Sequence, residues 1–438
     1  LERLLMKRFY RLGGACFSAA LLAACGANNG LSSTTPILVA PQRLELQFGG
    51  PLSGTAYKTL FTFRGRDGAG PSAVLFGVSN QPDTLYGTTV RGGGPGPCYR
   101  GPSAPGCGTV FAVSTSGQEH VLYAFKGATD GEHPHGNPIS LHGTLYGTTL
   151  YGGHSGCYGS GSYGCGTIFE VTTSGAESVL YRFKGDPDGA APAAGLIAVN
   201  GMLYGTTKGG GTANKGTVFE VSTSGIEHVV HSFRGYPHDG QNPSAALISL
   251  HGKLYGTTSE GGSSAKGAIF TITTSGQERV LYSFGALPDG AHPEADLVGV
   301  NDVLFGTTSS GGATANCNLG CGTVFKVSTS GQEQVLYRFK GDKDGADPVA
   351  SLIALNGKLY GTTASGGERN YQDGYGTVFE VSTSGHERLL HTFGAEGGGS
   401  SPEAGLLTVK GRLYGTTSGG GREGRHLLNT GTVFRISP

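Results

Sequence analysis

The chain has 438 residues, 81 of them glycine, with 37% hydrophobic and only 14% charged residues, a makeup that excludes long amphipathic helices and points to turn-rich β structure. Lys plus Arg and Asp plus Glu each total 31, so the formal net charge is zero. With no basic excess to neutralise a phosphate backbone, nucleic acid is excluded as a partner.

The first residues read as an export signal. Met6-Lys7-Arg8-Phe9-Tyr10-Arg11 supplies a positive stretch, and Leu12 to Leu21 supplies an apolar one too short to span a bilayer. Leu22-Ala23-Ala24-Cys25-Gly26 follows. It resembles the bacterial lipobox, whose Cys takes a diacylglyceryl thioether and becomes the new N-terminus after cleavage. The resemblance implies a signal peptide over residues 1–24, lipidation of Cys25 and a membrane reached through that lipid. Asn-, Ser-, Thr- and Pro-rich residues then predict a flexible tether, placed at 25–50, which leaves 51–438 for the folded domain. The expected location is the bacterial cell envelope. Gly26, where some bacteria use Asp to signal inner-membrane retention, favours the outer membrane.

Past the tether, an internal repeat organises the sequence. Leu-Tyr-Gly-Thr-Thr or a near copy begins at Leu85, Leu145, Leu203, Leu254, Leu304, Leu359 and Leu413. Gly-Thr-Val-Phe or a variant begins at Gly108, Gly166, Gly216, Gly267, Gly322, Gly376 and Gly431. Val-Leu-Tyr-x-Phe begins at Val121, Val179, Val229, Val280, Val335 and Leu389, with a looser copy at Thr59. Each element thus occurs seven times.

In the copy after Ala194 four strands are predicted: A over Gly195 to Val199, B over Met202 to Thr207, C over Gly216 to Ser222 and D over Glu227 to Phe233. Asn200-Gly201 suits the positive φ angles of a two-residue type I′ turn, so A and B form a hairpin. Alternation along strand D puts apolar groups on both faces, which a lone four-stranded sheet cannot bury. Stacking such sheets in a ring buries them. The first D copy, Tyr57 to Phe63, stands alone at the start, whereas the last repeat stops after strand C at Gly431 to Ser437. The fold expected is therefore all-β, a seven-bladed β-propeller of four-stranded antiparallel blades, closed by pairing of the N-terminal strand with the C-terminal blade. A parallel β-helix has shorter coils and no need of Asn-Gly hairpins.

These residues resemble a named group, the GloVer tandem-repeat family, whose unit is similar to Asn-Gly-x-Leu-Tyr-Gly-Thr-Thr…Gly-Gly…Gly-Thr-Val-Phe-Glu-Val-Ser-Thr-Ser-Gly at Asn200 to Gly225. The resemblance runs from about Tyr57 to Pro438. It implies an exported repeat protein with alternative anchoring signals, and it implies no assigned activity. The strand plan is also similar to kelch propellers, without the kelch Trp, since the chain has no Trp.

Six cysteines fall in three local pairs, Cys98 with Cys107, Cys157 with Cys165 and Cys317 with Cys321, and the second member of each directly precedes Gly-Thr. That regularity in an exported chain predicts three short disulfides. A metal site is disfavoured, because Cys317 and Cys321 have no neighbouring His or second Cys pair.

In a four-strand meander the A–B and C–D turns share one end, and the longer B–C and D–A connections share the other. The long, variable segments therefore gather on one face, where function is expected. The Asp-Gly connections there offer candidate binding residues at Asp130, Asp188, Asp239, Asp289 and Asp344, with Asp67 in the same repeat position. Calcium is disfavoured as a cofactor, because even the Asp-x-Asp-Gly strings ending at Gly189 and Gly345 lack the distal oxygen ligands of a calcium loop; turn formation is the simpler reading. The recurrent Glu119, Glu177, Glu227, Glu278, Glu333 and Glu387 are expected to be solvated edge residues. His133, His135 and His154 are unrepeated loop-face residues. No catalytic motif is present, so no catalytic residue is assigned. The function expected is non-enzymatic recognition of a protein or polysaccharide through the long-loop face; the alternative is a glycan-active hydrolase or lyase using loop-face carboxylates.

Overall fold

The computed structural model describes residues 56–98, 105–153, 156–157, 164–312, 316–367, 374–394, 398–423 and 426–438; the expected signal segment, Cys25, the expected tether and His154 lie outside them. Seven four-stranded antiparallel blades are formed, the first six with inner strands beginning at Phe76, Ile139, Ile197, Ile248, Val298 and Ile353. In blade three the strands run Ile197–Val199, Met202–Thr207, Thr217–Ser222 and Glu227–Ser232 from A to D. Strand B keeps its expected span. Strand A starts two residues later than expected, at Ile197, and just before it the Ala194 carbonyl accepts the Thr148 hydroxyl of the preceding blade at 2.8 Å. Asn200 and Gly201 have φ of 52° and 81°, both positive as a type I′ turn requires.

Blade seven is completed across the chain ends. Its strands are Leu407–Val409, Arg412–Thr417, Thr432–Ile436 and, outermost, Tyr57–Thr62. Tyr57 stands opposite Ile436, and Thr62 opposite Thr432. The ring is thus closed by a non-covalent outer strand, as the truncated last repeat predicts.

Aromatic side chains fill every junction between blades. The Phe that ends each strand D meets the strand C Phe of the next blade edge-on, giving seven pairs with ring centroids 5.0–5.3 Å apart. Phe63 of the closing strand belongs to this series through Phe111. The Gly of Leu-Tyr-Gly-Thr-Thr makes room for the same ring: a Cβ at Gly205 would lie 2.6 Å from Phe219 Cζ. The preceding Tyr, such as Tyr204, is buried as packing.

A β-bulge recurs between strands C and D. In blade two the register jumps between Val179 and Tyr181, so Leu180 drops out of the ladder. The Leu180 carbonyl then lies against Gly225, in the C–D turn of blade three, where a Cβ would stand 2.7 Å from it. Ser-Thr-Ser-Gly turns, expected simply to share a face with the Asn-Gly turns, are therefore docked sideways on the outer strand of the preceding blade. The three cysteine pairs lie at disulfide distance, with Cα separations of 5.1, 5.2 and 5.3 Å for Cys98–Cys107, Cys157–Cys165 and Cys317–Cys321.

Candidate binding face

Polar side chains, among them Arg91 and His135, which occur once at their repeat positions, meet where the long-loop face surrounds the ring axis. A cavity of about 300 Å³ is lined there by Ser72, Arg91, His133, His135, Glu403 and Ser418, with Gly70, Val90 and Leu150. These residues come from the B–C and D–A connections of blades seven, one and two. His135 is half-buried and its Nδ1 stands 3.2 Å from the Ala193 carbonyl, so Nδ1 carries the proton in the neutral ring and Nε2 is left as an acceptor. Desolvation, helped by Lys208, pushes its pKa down to about 4. His133 is lowered by burial and by Arg91. Burial raises the Glu403 carboxyl, against the pull of the Ser418 hydroxyl and Arg91. At neutral pH the imidazoles therefore offer hydrogen bonds, and Arg91 supplies the positive charge. Such a lining suits ligands rich in hydroxyl and carboxyl groups. A second cavity, of about 320 Å³, lies on the same face beside the Cys317–Cys321 loop, with Asn316, Asn318 and Asp347 in its wall.

Among the described residues, one hydrogen bond crosses the axis. Asn137 Nδ2 of blade two donates to Asp296 Oδ2 of blade five at 3.3 Å, and those blades are three apart in the ring. Asn137 Oδ1 also accepts the Val74 N–H at 2.6 Å, and Asp296 Oδ1 accepts the Ala246 N–H at 2.7 Å. Burial raises the Asp296 carboxyl. Together these groups brace the residues that precede the inner strands of blades one, two, four and five. Sequence reasoning missed Arg91, Glu403, Asn137 and Asp296. The signal was available at one repeat position, where Asn137, Asp296 and Ser351 interrupt small or aliphatic residues at Val74, Gly195, Ala246 and Gly405.

The five Asp residues singled out above are held at separate junctions on the rim. Asp188 accepts the Tyr181 hydroxyl at 2.9 Å and the Lys184 and Gly189 N–H groups at 3.0 and 2.7 Å. Asp130 accepts Tyr123 and the Lys126 N–H, Asp289 accepts Tyr282 with the Gly285 and Gly290 N–H groups, and Asp344 accepts Tyr337 and the Lys340 N–H. Asp239 has His231 in place of Tyr, at 3.3 Å. Each carboxylate thus braces its own turn.

The structure corrects the reading of the recurrent glutamates. Glu119, Glu177, Glu227, Glu278, Glu333 and Glu387 are half-buried, and the Oε1 of each is buried without a hydrogen bond among the described residues. Because the C–D turn docks on the preceding blade, each Glu faces that blade's Asp: Glu119 faces Asp67, Glu177 Asp130, Glu227 Asp188, Glu278 Asp239, Glu333 Asp289 and Glu387 Asp344. At the junction of blades three and four, donor atoms of His231, Asp239 and Glu278 lie within 4.8 Å of one another.

Residues 156–371 and 315–438, together more than half of the chain, match the sequence model of the Gloeobacter/Verrucomicrobia repeat. The chain belongs to this repeat family. No curated protein matches it in sequence. Among solved structures, this repeat protein is similar to virginiamycin B lyase from Staphylococcus aureus, at 12% identity and a TM-score of 0.51, over 88% of this chain and 99% of that one. A hypothetical selenium-binding protein from Sulfolobus tokodaii matches at 11% identity and a TM-score of 0.46, over 74% of this chain and 80% of that one. A gluconolactonase from Xanthomonas campestris matches at 12% identity and a TM-score of 0.40, over 75% and 89%. At such identities the likeness is one of fold alone.

Proposed function

We propose that this repeat protein is a non-enzymatic binding propeller, held in the bacterial cell envelope by lipid on Cys25, that recognises a protein or polysaccharide through its long-loop face. The observation that carries the reading is the division of labour around the ring. Strands and junction phenylalanines repeat seven times, whereas Arg91 and His135 occur once at their repeat positions and converge with His133 and Glu403 on one cavity. A repeated scaffold that presents unrepeated polar groups is the arrangement recognition needs. The alternative, glycan hydrolysis or elimination, calls for a pair of acids, and the lining of this cavity contains one carboxyl, Glu403.

The test is a glycan array run with the purified propeller beside an assay for released reducing ends. Binding without turnover, lost in Arg91→Ala and His135→Ala, is the expected outcome. Turnover that disappears in Glu403→Gln would favour the enzyme instead.

A further inference from the structure

The two carboxyl groups at a blade junction occur together or not at all. Six junctions carry the Glu and Asp described above. At the remaining one, between blades six and seven, Tyr57 takes the Glu position and Gly398 the Asp position, and the Tyr57 hydroxyl donates to the Gly398 carbonyl. Tyr57 also stacks on His391, the counterpart of Tyr181, at 3.8 Å. A lone Glu left there would bury an acid with no counterpart. Two half-buried carboxyls facing each other cannot both ionise cheaply, and a buried carboxyl oxygen without a donor is costly unless it carries its own proton.

We propose that each of the six junctions holds one proton between its Glu and Asp, so that neighbouring blades are clamped in mildly acidic surroundings and loosened as the pH rises. The Glu O–H donates to the Asp carboxylate; on ionisation the proton leaves to solvent and two like charges remain. Other groups facing the glutamates are few: Tyr123 and Lys126 at Glu177, Tyr181 and Lys184 at Glu227, His231 at Glu278, Tyr282 and Arg338 at Glu333, and Tyr337 and Lys340 at Glu387. Glu119 faces Asp67, and Phe61 stands where the other junctions have Tyr or His. Burial, then the neighbouring Asp, pushes the glutamates up to about 7, with Glu119 at about 8 and Glu387 at about 6.

These folded values lie above the ordinary 4.5, so the stabilisation is full below that pH and is lost as pH rises through 6 to 8. His135 and His391, both lowered to about 4, act with the opposite sign, but only below pH 6.5. The window from pH 6.5 to 8.5 therefore reads the glutamates.

The experiment is urea unfolding of the intact chain in a chelating buffer across that window, beside Glu227→Gln and Glu333→Gln, which mimic the protonated state. Each proton carried into the folded ring makes folding up to about tenfold less favourable per pH unit. Wild type should lose stability steadily, and each Gln variant should already be the more stable at pH 6.5, exceed wild type by more at pH 8.5 and shallow the slope by as much as one proton. Gln variants destabilised equally at both pH values, or a wild-type midpoint that is flat or rises with pH, would overturn the proposal.

Discussion

Truncation of Phe183 to alanine tests whether the space between blades is one packed core. Phe183 is fully buried, meets Phe219 of the next blade edge-on at 5.1 Å and contacts Tyr181 of its own strand at 5.3 Å. Deleting a buried Phe costs about 3–5 kcal/mol, the upper end applying where the walls cannot collapse into the void. Here both walls are sheets fixed by further neighbours around a closed ring, so little collapse is available. About 0.5–1.5 kcal/mol of the loss belongs to ring–ring geometry, which a double-mutant cycle with Phe219→Ala isolates. Urea unfolding of the two single variants and the double variant, with an unchanged denaturant slope, gives both quantities. Phe233→Ala supplies an internal control: its pair with Phe270 has the same 5.1 Å separation, so its cost should agree within about 1 kcal/mol given the usual spread between core sites. A Phe183→Ala loss below about 1 kcal/mol, or no coupling to Phe219, refutes the argument that junction phenylalanines hold the blades together.

Gly225 and Gly201 both have positive φ, 84° and 81°, but a Cβ at Gly225 would meet the Leu180 carbonyl at 2.7 Å whereas one at Gly201 would meet nothing within 4 Å. Gly201→Ala should therefore cost only the backbone strain, about 1–2 kcal/mol, and Gly225→Ala clearly more; equal losses in thermal unfolding would remove the sideways docking of the C–D turn from the account. Cys25→Ser should abolish incorporation of labelled fatty acid and move the protein from the membrane to the soluble fraction of envelope preparations, and unchanged membrane partition would sink the lipid anchor.

The architecture was legible because its causes are local and repeated. Asn200-Gly201 dictates a hairpin through φ alone, the Phe at each strand D end recurs with its partner one repeat away, and the orphan strand at Tyr57 declares its own vacancy. The role of the glutamates was not legible in the same way. Their burial arises from a C–D turn pressed against the bulged outer strand of the preceding blade, a contact set by the twist of the sheets rather than by alternation along any one strand. Joint loss of Glu and Asp at Tyr57 and Gly398 was the trace it left in sequence. Likewise, Asn137 and Asp296 looked like ordinary loop residues until the ring brought blades two and five to opposite sides of one axis. Arg91 and Glu403 were hidden for a related reason: they belong to the first and last repeats and become neighbours only when the ends meet.

That meeting of the ends supports the cavity as well as the fold, since Arg91, His135 and Glu403 share it only in a closed ring. Lys58 stands directly opposite Arg435 in the closing pair of strands, within the Cα range that a cross-strand disulfide accepts. The most direct measurement is therefore peptide mapping of Lys58→Cys/Arg435→Cys after mild oxidation. The account predicts a disulfide joining peptides from the two chain ends of one molecule, with unchanged circular dichroism and a raised unfolding midpoint; two freely alkylated cysteines in a folded protein would contradict it.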